Sequence, residues 1–182
     1  KSWDEGKTWS IPMIINDTWL DDRDAGIICL GGKTVLVSWF THPASEYLTT
    51  FSKPIREGWG ASGAVMDQYD TIPEEHRRGG SFIRVSHDGG MTWGETVQVP
   101  VSAPHGPTLR RDGSLLYFGR EWYARDGLEK NSIATYESRD MGKTWVRLSS
   151  FSKQQCYEEP HAIELDDGRI LGCLRWEGPG NV

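Results

Sequence analysis

Alternation of apolar and polar positions is clearest at residues 81–86 (Ser-Phe-Ile-Arg-Val-Ser) and 132–138 (Ser-Ile-Ala-Thr-Tyr-Glu-Ser). A period of two predicts strands there. Residues 95–99 and 169–175 are predicted to be strands as well. Glycine-centred breaks at Gly32, Gly113 and Gly168 each fall between two short apolar runs. Two of the three breaks are Asp-Gly, the dipeptide that most strongly marks a tight hairpin. Helical periodicity is nearly absent, and its best candidate, residues 73–78, is barely two turns long. The pattern predicts an all-β chain.

A second pattern overlies the first. Ser-x-Asp-x-Gly-x-Thr-Trp occurs three times, as Ser2-Asp4-Gly6-Thr8-Trp9, Ser86-Asp88-Gly90-Thr92-Trp93 and Ser138-Asp140-Gly142-Thr144-Trp145. Five fixed identities over eight positions, repeated in so short a chain, are a structural repeat. Ser and Asp side chains hydrogen-bond the amides of a tight turn, and Gly supplies positive φ. The Thr returns the chain to a strand, and the Trp is expected to be largely buried between strands. A calcium loop would need further acidic ligands that these segments lack, so each motif is read as a hairpin turn.

The glycine-centred hairpins follow the motif serines by 30, 27 and 30 residues. Each repeating unit is therefore two hairpins in series, or four antiparallel strands. Such a unit cannot bury its own faces, and radial repetition as a β-propeller is the expected solution. Residues 1–16 would be the end of one blade, 24–100 and 104–150 two whole blades, and 159–176 the inner hairpin of the next. Residues 41–80 would be a long insertion in the first whole blade. Neither end of the sequence has the look of a natural terminus, so the chain is expected to be part of a longer propeller.

Composition narrows the function classes. Nine tryptophans and 21 glycines fit an aromatic-rich, turn-rich β protein. A formal net charge of −6, with no basic stripe, argues against nucleic acid as a partner. No apolar run approaches the roughly 20 residues of a membrane span. The three cysteines have no metal-ligand spacing, and Cys29 and Cys173 lie in apolar runs where they are expected to be buried. No cofactor or metal is indicated.

The strand register places candidate chemistry. With a turn at Asp167, Glu159 should face Arg175 at the open end of one hairpin, with His161 opposite Cys173. The same register sets Arg23 or Asp24 near Trp39, and Pro104 or His105 near Arg120. All these open ends should share one face, and Asp4, Asp88 and Asp140 should lie on the opposite face. A merely structural repeat would reuse one residue type at that end, yet each unit differs.

Three Asp boxes so spaced resemble the sialidase (neuraminidase) and BNR-repeat superfamily, whose catalytic members are six-bladed propellers. The segment 159–175 matches more specifically, since Glu159, Glu164, Asp167, Gly168, Leu171 and Arg175 fall on a sialidase hairpin pattern. The resemblance implies that Glu159 activates a tyrosine nucleophile and that Arg175 helps clamp the substrate carboxylate. It implies an acidic sugar or glycan as partner and favours a secreted or periplasmic location, although no signal peptide is visible. Asp24 would line the pocket. The alternative makes Arg23 the first clamp arginine and Asp67 or Asp70 the acid. The tyrosine nucleophile has no counterpart in these residues and should lie in a later blade. The insertion, with Trp59, Tyr69, Asp67 and Asp70, would wall the pocket. Two rival readings are a non-catalytic binding propeller, and an enzyme for another uronic-type glycan that uses His105 and His161.

Overall fold

The computed structural model describes residues 1–58, 62–122, 132–152 and 157–179. Trp59 and Cys156 lie outside these. The described chain is mostly β. Its first sheet has four antiparallel strands in sequence order, β1 (Arg23–Gly31), β2 (Thr34–Thr41), β3 (Gly80–Ser86) and β4 (Val97–Val99). A second four-stranded sheet repeats the order with β5 (Thr108–Leu109), β6 (Leu115–Arg120), β7 (Ile133–Ser138) and β8 (Val146–Ser152). A hairpin of β9 (Tyr157–Glu164) and β10 (Ile170–Trp176) follows. Turns at Gly31–Gly32, Gly113 and Gly168 take the positive φ expected of them.

The two sheets share one apolar core. Leu36 and Ile83 of the first meet Leu115, Tyr117 and Tyr136 of the second, with Val99, Val101 and Ala103 between. A second cluster joins Leu116, Phe118 and Ile133 to Ala162 of the hairpin. Gly172 permits that contact, because a Cβ there would come 2.9 Å from the Phe118 ring. The first strands of the three units lie side by side. A Cβ on Gly26 would meet the His105 carbonyl at 2.8 Å, and Thr108 donates to the Ala162 carbonyl.

Two expectations about burial fail. Cys29 and Cys173 are exposed, because β1 and β10 are edge strands of their sheets. Trp9 is 73% exposed, and Trp93 and Trp145 are half-buried. Residues 1–16 form the turn but no strand, so Trp9 has no sheet to enter. Its ring folds back on its own turn, with Nε1 donating to the Gly6 carbonyl at 3.0 Å. Trp145 makes the same bond at 2.9 Å while also packing near Tyr117 at 5.7 Å.

The turns themselves have the expected chemistry. The Ser2, Ser86 and Ser138 hydroxyls each accept from the amide of Gly6, Gly90 or Gly142, at 2.7, 2.7 and 2.8 Å. Each Asp accepts from the Thr amide and hydroxyl four residues on. Bonds from Thr8 hold the Asp4 carboxyl at about 2, below its ordinary 3.8. Thr92 depresses Asp88 in the same way. A depressed pKa means stability that is complete above about pH 4 and lost as pH falls towards about 2. The urea midpoint should therefore fall across that window, and Asp88→Asn should flatten the fall. An equally steep decline in the variant would show that the turns do not govern acid stability.

The insertion is helical, against expectation. It contains α1 (Ala44–Leu48), α2 (Ser52–Gly58) and α3 (Ser62–Gln68), then single 3-10 turns at Tyr69–Thr71 and Glu74–His76. Only the last falls in the segment read as a possible helix. These helices are short and held by packing, not by periodicity, around Leu20, Ala44, Tyr47, Met66, Tyr69 and Ile72. Among the described residues no helix is long and apolar enough to cross a membrane.

Candidate functional site

Strand pairing separates two ends of the structure. Ser86 pairs with Val35 beside the β1–β2 turn, whereas Arg23 pairs with Phe40 at the other end of the same strands. Ser138 likewise pairs with Leu115, far from Arg120. Lys1, beside the first motif, reaches Met91 of the second at 2.8 Å. The three Ser-Asp turns thus lie at one end, and Arg23 and Arg120 lie at the other.

At that other end, all three units contribute to one cleft of about 160 Å³. Arg23 and Asp24 come from β1, Arg120 from β6, and Glu158, Glu159 and Arg175 from β9 and β10. Arg120 pairs with Glu158, and Arg175 pairs with both Glu159 and Glu177. Arg23 lies 3.6 Å from Asp21 and sits over the Phe40 ring at 6.0 Å. The Arg120 guanidinium lies 5.1 Å from the Trp122 ring centre.

The expected register is off by one in two places. In the strand ladder Arg175 stands opposite Glu158, not Glu159. The reason is an extra residue at Glu159–Pro160, since proline has no N–H to continue a ladder and marks a bulge. Glu159 takes φ +48° there, and its carboxylate still reaches Arg175 from the bulge. In β1 a bulge falls between Arg23 and Gly26, with Asp24 at φ +51°, and Arg23 faces Phe40 instead of Trp39. In the second unit Ser102, not Pro104 or His105, bridges to Arg120. Left-handed backbone in residues other than Gly costs about 1–3 kcal/mol and clusters at functional sites. Four described residues show it, and two of them, Asp24 and Glu159, line this cleft.

His105 and His161 do not share the cleft. His105 and His161 line an adjoining hollow with Gly26, and their rings meet edge to face at 5.4 Å. Burial, helped by the neighbouring His105, lowers the His161 pKa and keeps that ring neutral. Among the described residues no cluster of three or more His, Cys, Asp or Glu side chains is placed to hold a metal, and no tyrosine lines the cleft.

The insertion leaves the sheet at Thr41, which pairs with Gly80 at the cleft end. It contributes His42, which lines the cleft and packs against Phe40, Tyr47 and Trp122. Burial lowers the His42 pKa, opposed by Glu46 at 2.9 Å. Asp67 is instead exposed and held by Arg56 at 2.6 Å, and neither it nor Asp70 lines the cleft. Sequence reasoning missed Glu158, His42 and Trp122. Glu158 could have been suspected from Pro160, which makes the register at the adjacent glutamates ambiguous.

No protein-family profile and no curated protein matches this sequence. A solved protein of unknown function from Dyadobacter fermentans DSM 18053 has the same fold, with a TM-score of 0.65 at 16% identity. The likeness covers 97% of this chain and 50% of that one, so the chain spans about half the length of that structure.

Proposed function

We propose that the protein is a sialidase-like exo-glycoside hydrolase, a six-bladed β-propeller that releases terminal sialic acid or a related acidic sugar from glycoconjugates. The observation that carries this reading is the convergence of Arg23, Arg120 and Arg175 with Asp24 and Glu159 in one small cleft opposite the Ser-Asp turns. A sugar carboxylate is best held by planar guanidinium forks. Arg23 and Arg175 are the exposed forks, and Arg175 can exchange a glutamate for a substrate carboxylate. Glu159 is the base that takes a proton from a tyrosine nucleophile, an arrangement that avoids repulsion between an anionic nucleophile and an anionic substrate. On this reading the tyrosine and the acid/base aspartate lie outside these residues.

The test is hydrolysis of 4-methylumbelliferyl α-sialoside by the full-length protein. Arg175→Lys should raise KM about tenfold, because an ammonium keeps the charge but not the fork. No release of sialic acid from any sialoside would defeat the proposal. The His105–His161 pair supports a second reading, an enzyme for another uronic-type glycan in which a neutral imidazole serves as base.

A further inference from the structure

The hollow that holds His105 and His161 is open and has a volume of about 580 Å³. It lies beside the arginine cleft, and Pro104 lines both. Among the described residues neither imidazole makes a hydrogen bond or an ion pair, so each keeps a ring nitrogen for a ligand. Their ring centres are 5.4 Å apart. Two imidazole nitrogens about 2.0–2.1 Å from one ion, at a tetrahedral angle, place their ring centres roughly 5 Å apart. Each ring centre lies nearly on its own Cβ–Cγ axis. Turning χ2, a broad torsion in histidine, therefore aims a nitrogen at the shared point and barely changes that spacing.

The backbone under both rings is fixed. Pro104 and Pro107 flank His105, and each proline locks its own φ. Between them Gly106 takes φ +71° and its amide donates to the Ala103 carbonyl at 3.1 Å. Gly26 lets β1 pass directly against this turn, since a Cβ there would meet the His105 carbonyl at 2.8 Å. His161 follows the fully buried Pro160. The Thr108 hydroxyl donates to the Ala162 carbonyl, which ties β5 to β9 beside the pair. Ligands held on rigid backbone need little ordering when an ion arrives.

We propose that His105 and His161 together bind one late first-row divalent transition ion, of the zinc, nickel and copper class. Imidazole suits these ions. Calcium and magnesium need oxygen ligands, and the hollow has no carboxylate, its one hydroxyl being that of Thr108. Among the described residues lining it there is also no lysine or arginine to repel a cation. Two protein ligands leave the other positions of a tetrahedral ion to water, so the ion is exchangeable and not a structural one. The site stands on the two imidazoles and the hollow alone, whichever glycan the neighbouring cleft accepts.

The test is titration of the full-length protein, stripped with EDTA, with ZnCl₂ and NiCl₂ by calorimetry and with CoCl₂ by visible absorption. Zn²⁺ should bind and should raise the unfolding midpoint, as a ligand of the native state does. His105→Gln and His161→Gln should each weaken Zn²⁺ binding more than about tenfold, because losing even an outer-shell partner of a metal ligand costs about 10–100-fold. Each should also abolish the cobalt absorption bands. His87→Gln, at an exposed histidine beside the second Ser-Asp turn, should change neither result. His105 is exposed, so its variant should fold and decides the matter even where the half-buried His161 is needed for folding. Failure of all three ions to bind, or binding that survives the loss of His105, overturns the site whether or not sialosides are cleaved. Binding with this pattern in a protein inert to sialosides sustains the site and defeats only the sialidase reading.

Discussion

Glu158→Ala is expected to destabilise the chain by about 3–5 kcal/mol, the usual cost of breaking a buried ion pair by removing one partner. The side chains of Arg120 and Glu158 are only 10% and 17% exposed. Removing the carboxylate takes its paired anion from the Arg120 guanidinium, which lies beside Trp122 where water reaches it poorly. The loss should lower Tm by on the order of 10 °C for a domain of this size. Urea unfolding followed by far-UV circular dichroism would read it as a lower midpoint with an unchanged slope. The double variant Arg120→Met, Glu158→Leu should recover most of the loss, since apolar replacement of both partners is often neutral. A single-variant cost below about 1 kcal/mol would show that the pair is solvated, as surface pairs are. The neighbouring pair offers the contrast. Arg175 and Glu159 are 48% and 36% exposed, and breaking an exposed pair costs about 0–1 kcal/mol. Arg120 is thus built in as the floor of the cleft, while Arg175 is placed to change partners.

The parts of this arrangement that depend on local chemistry could be read from the sequence. Ser86, Asp88, Gly90 and Thr92 form their turn through hydrogen bonds within a few residues, so the motif alone specifies it. The gathering of Asp24, Glu159 and Arg175 at one end followed from strand direction, which the turn positions fix. What could not be read depends on contacts distant in sequence. A bulge changes pairing by one residue, so it was invisible from hydrophobic pattern whether Glu158 or Glu159 faces Arg175. Pro160 was the one local sign. The helices of the insertion are five to seven residues long, too short to form on propensity, and exist because Tyr47, Met66 and Ile72 bury one another. Cys29 and Cys173 have the same apolar flanks as core residues. Their exposure follows from edge positions that only sheet order reveals.

If the proposed sialidase reading holds, Glu159→Gln is expected to lower kcat on an aryl sialoside by about 10²–10⁴, the usual contribution of a positioned general base. The amide matches the carboxylate in shape and keeps an acceptor for Arg175, so the cleft should stay assembled. It cannot take a proton, so a tyrosine beside it would stay neutral and attack slowly. KM should change little, because on the proposed reading the glutamate takes up the proton and does not hold the substrate carboxylate. The unfolding midpoint should also hold, since Glu159 is partly exposed and its bulge is set by the backbone around Pro160. His105→Ala supplies the discriminating arm. Its ring lies in the adjoining hollow against His161, so a sialidase should lose less than about tenfold, far short of a general base's contribution. An enzyme for another acidic glycan that uses this histidine pair should reverse the order. In that case His105→Ala or His161→Ala would abolish turnover, and Glu159→Gln would leave it nearly intact. That reversal, in a protein inert to sialosides, would move the chemistry from the bulged glutamate to the imidazoles and leave the strand-end cleft as a carboxylate-binding site.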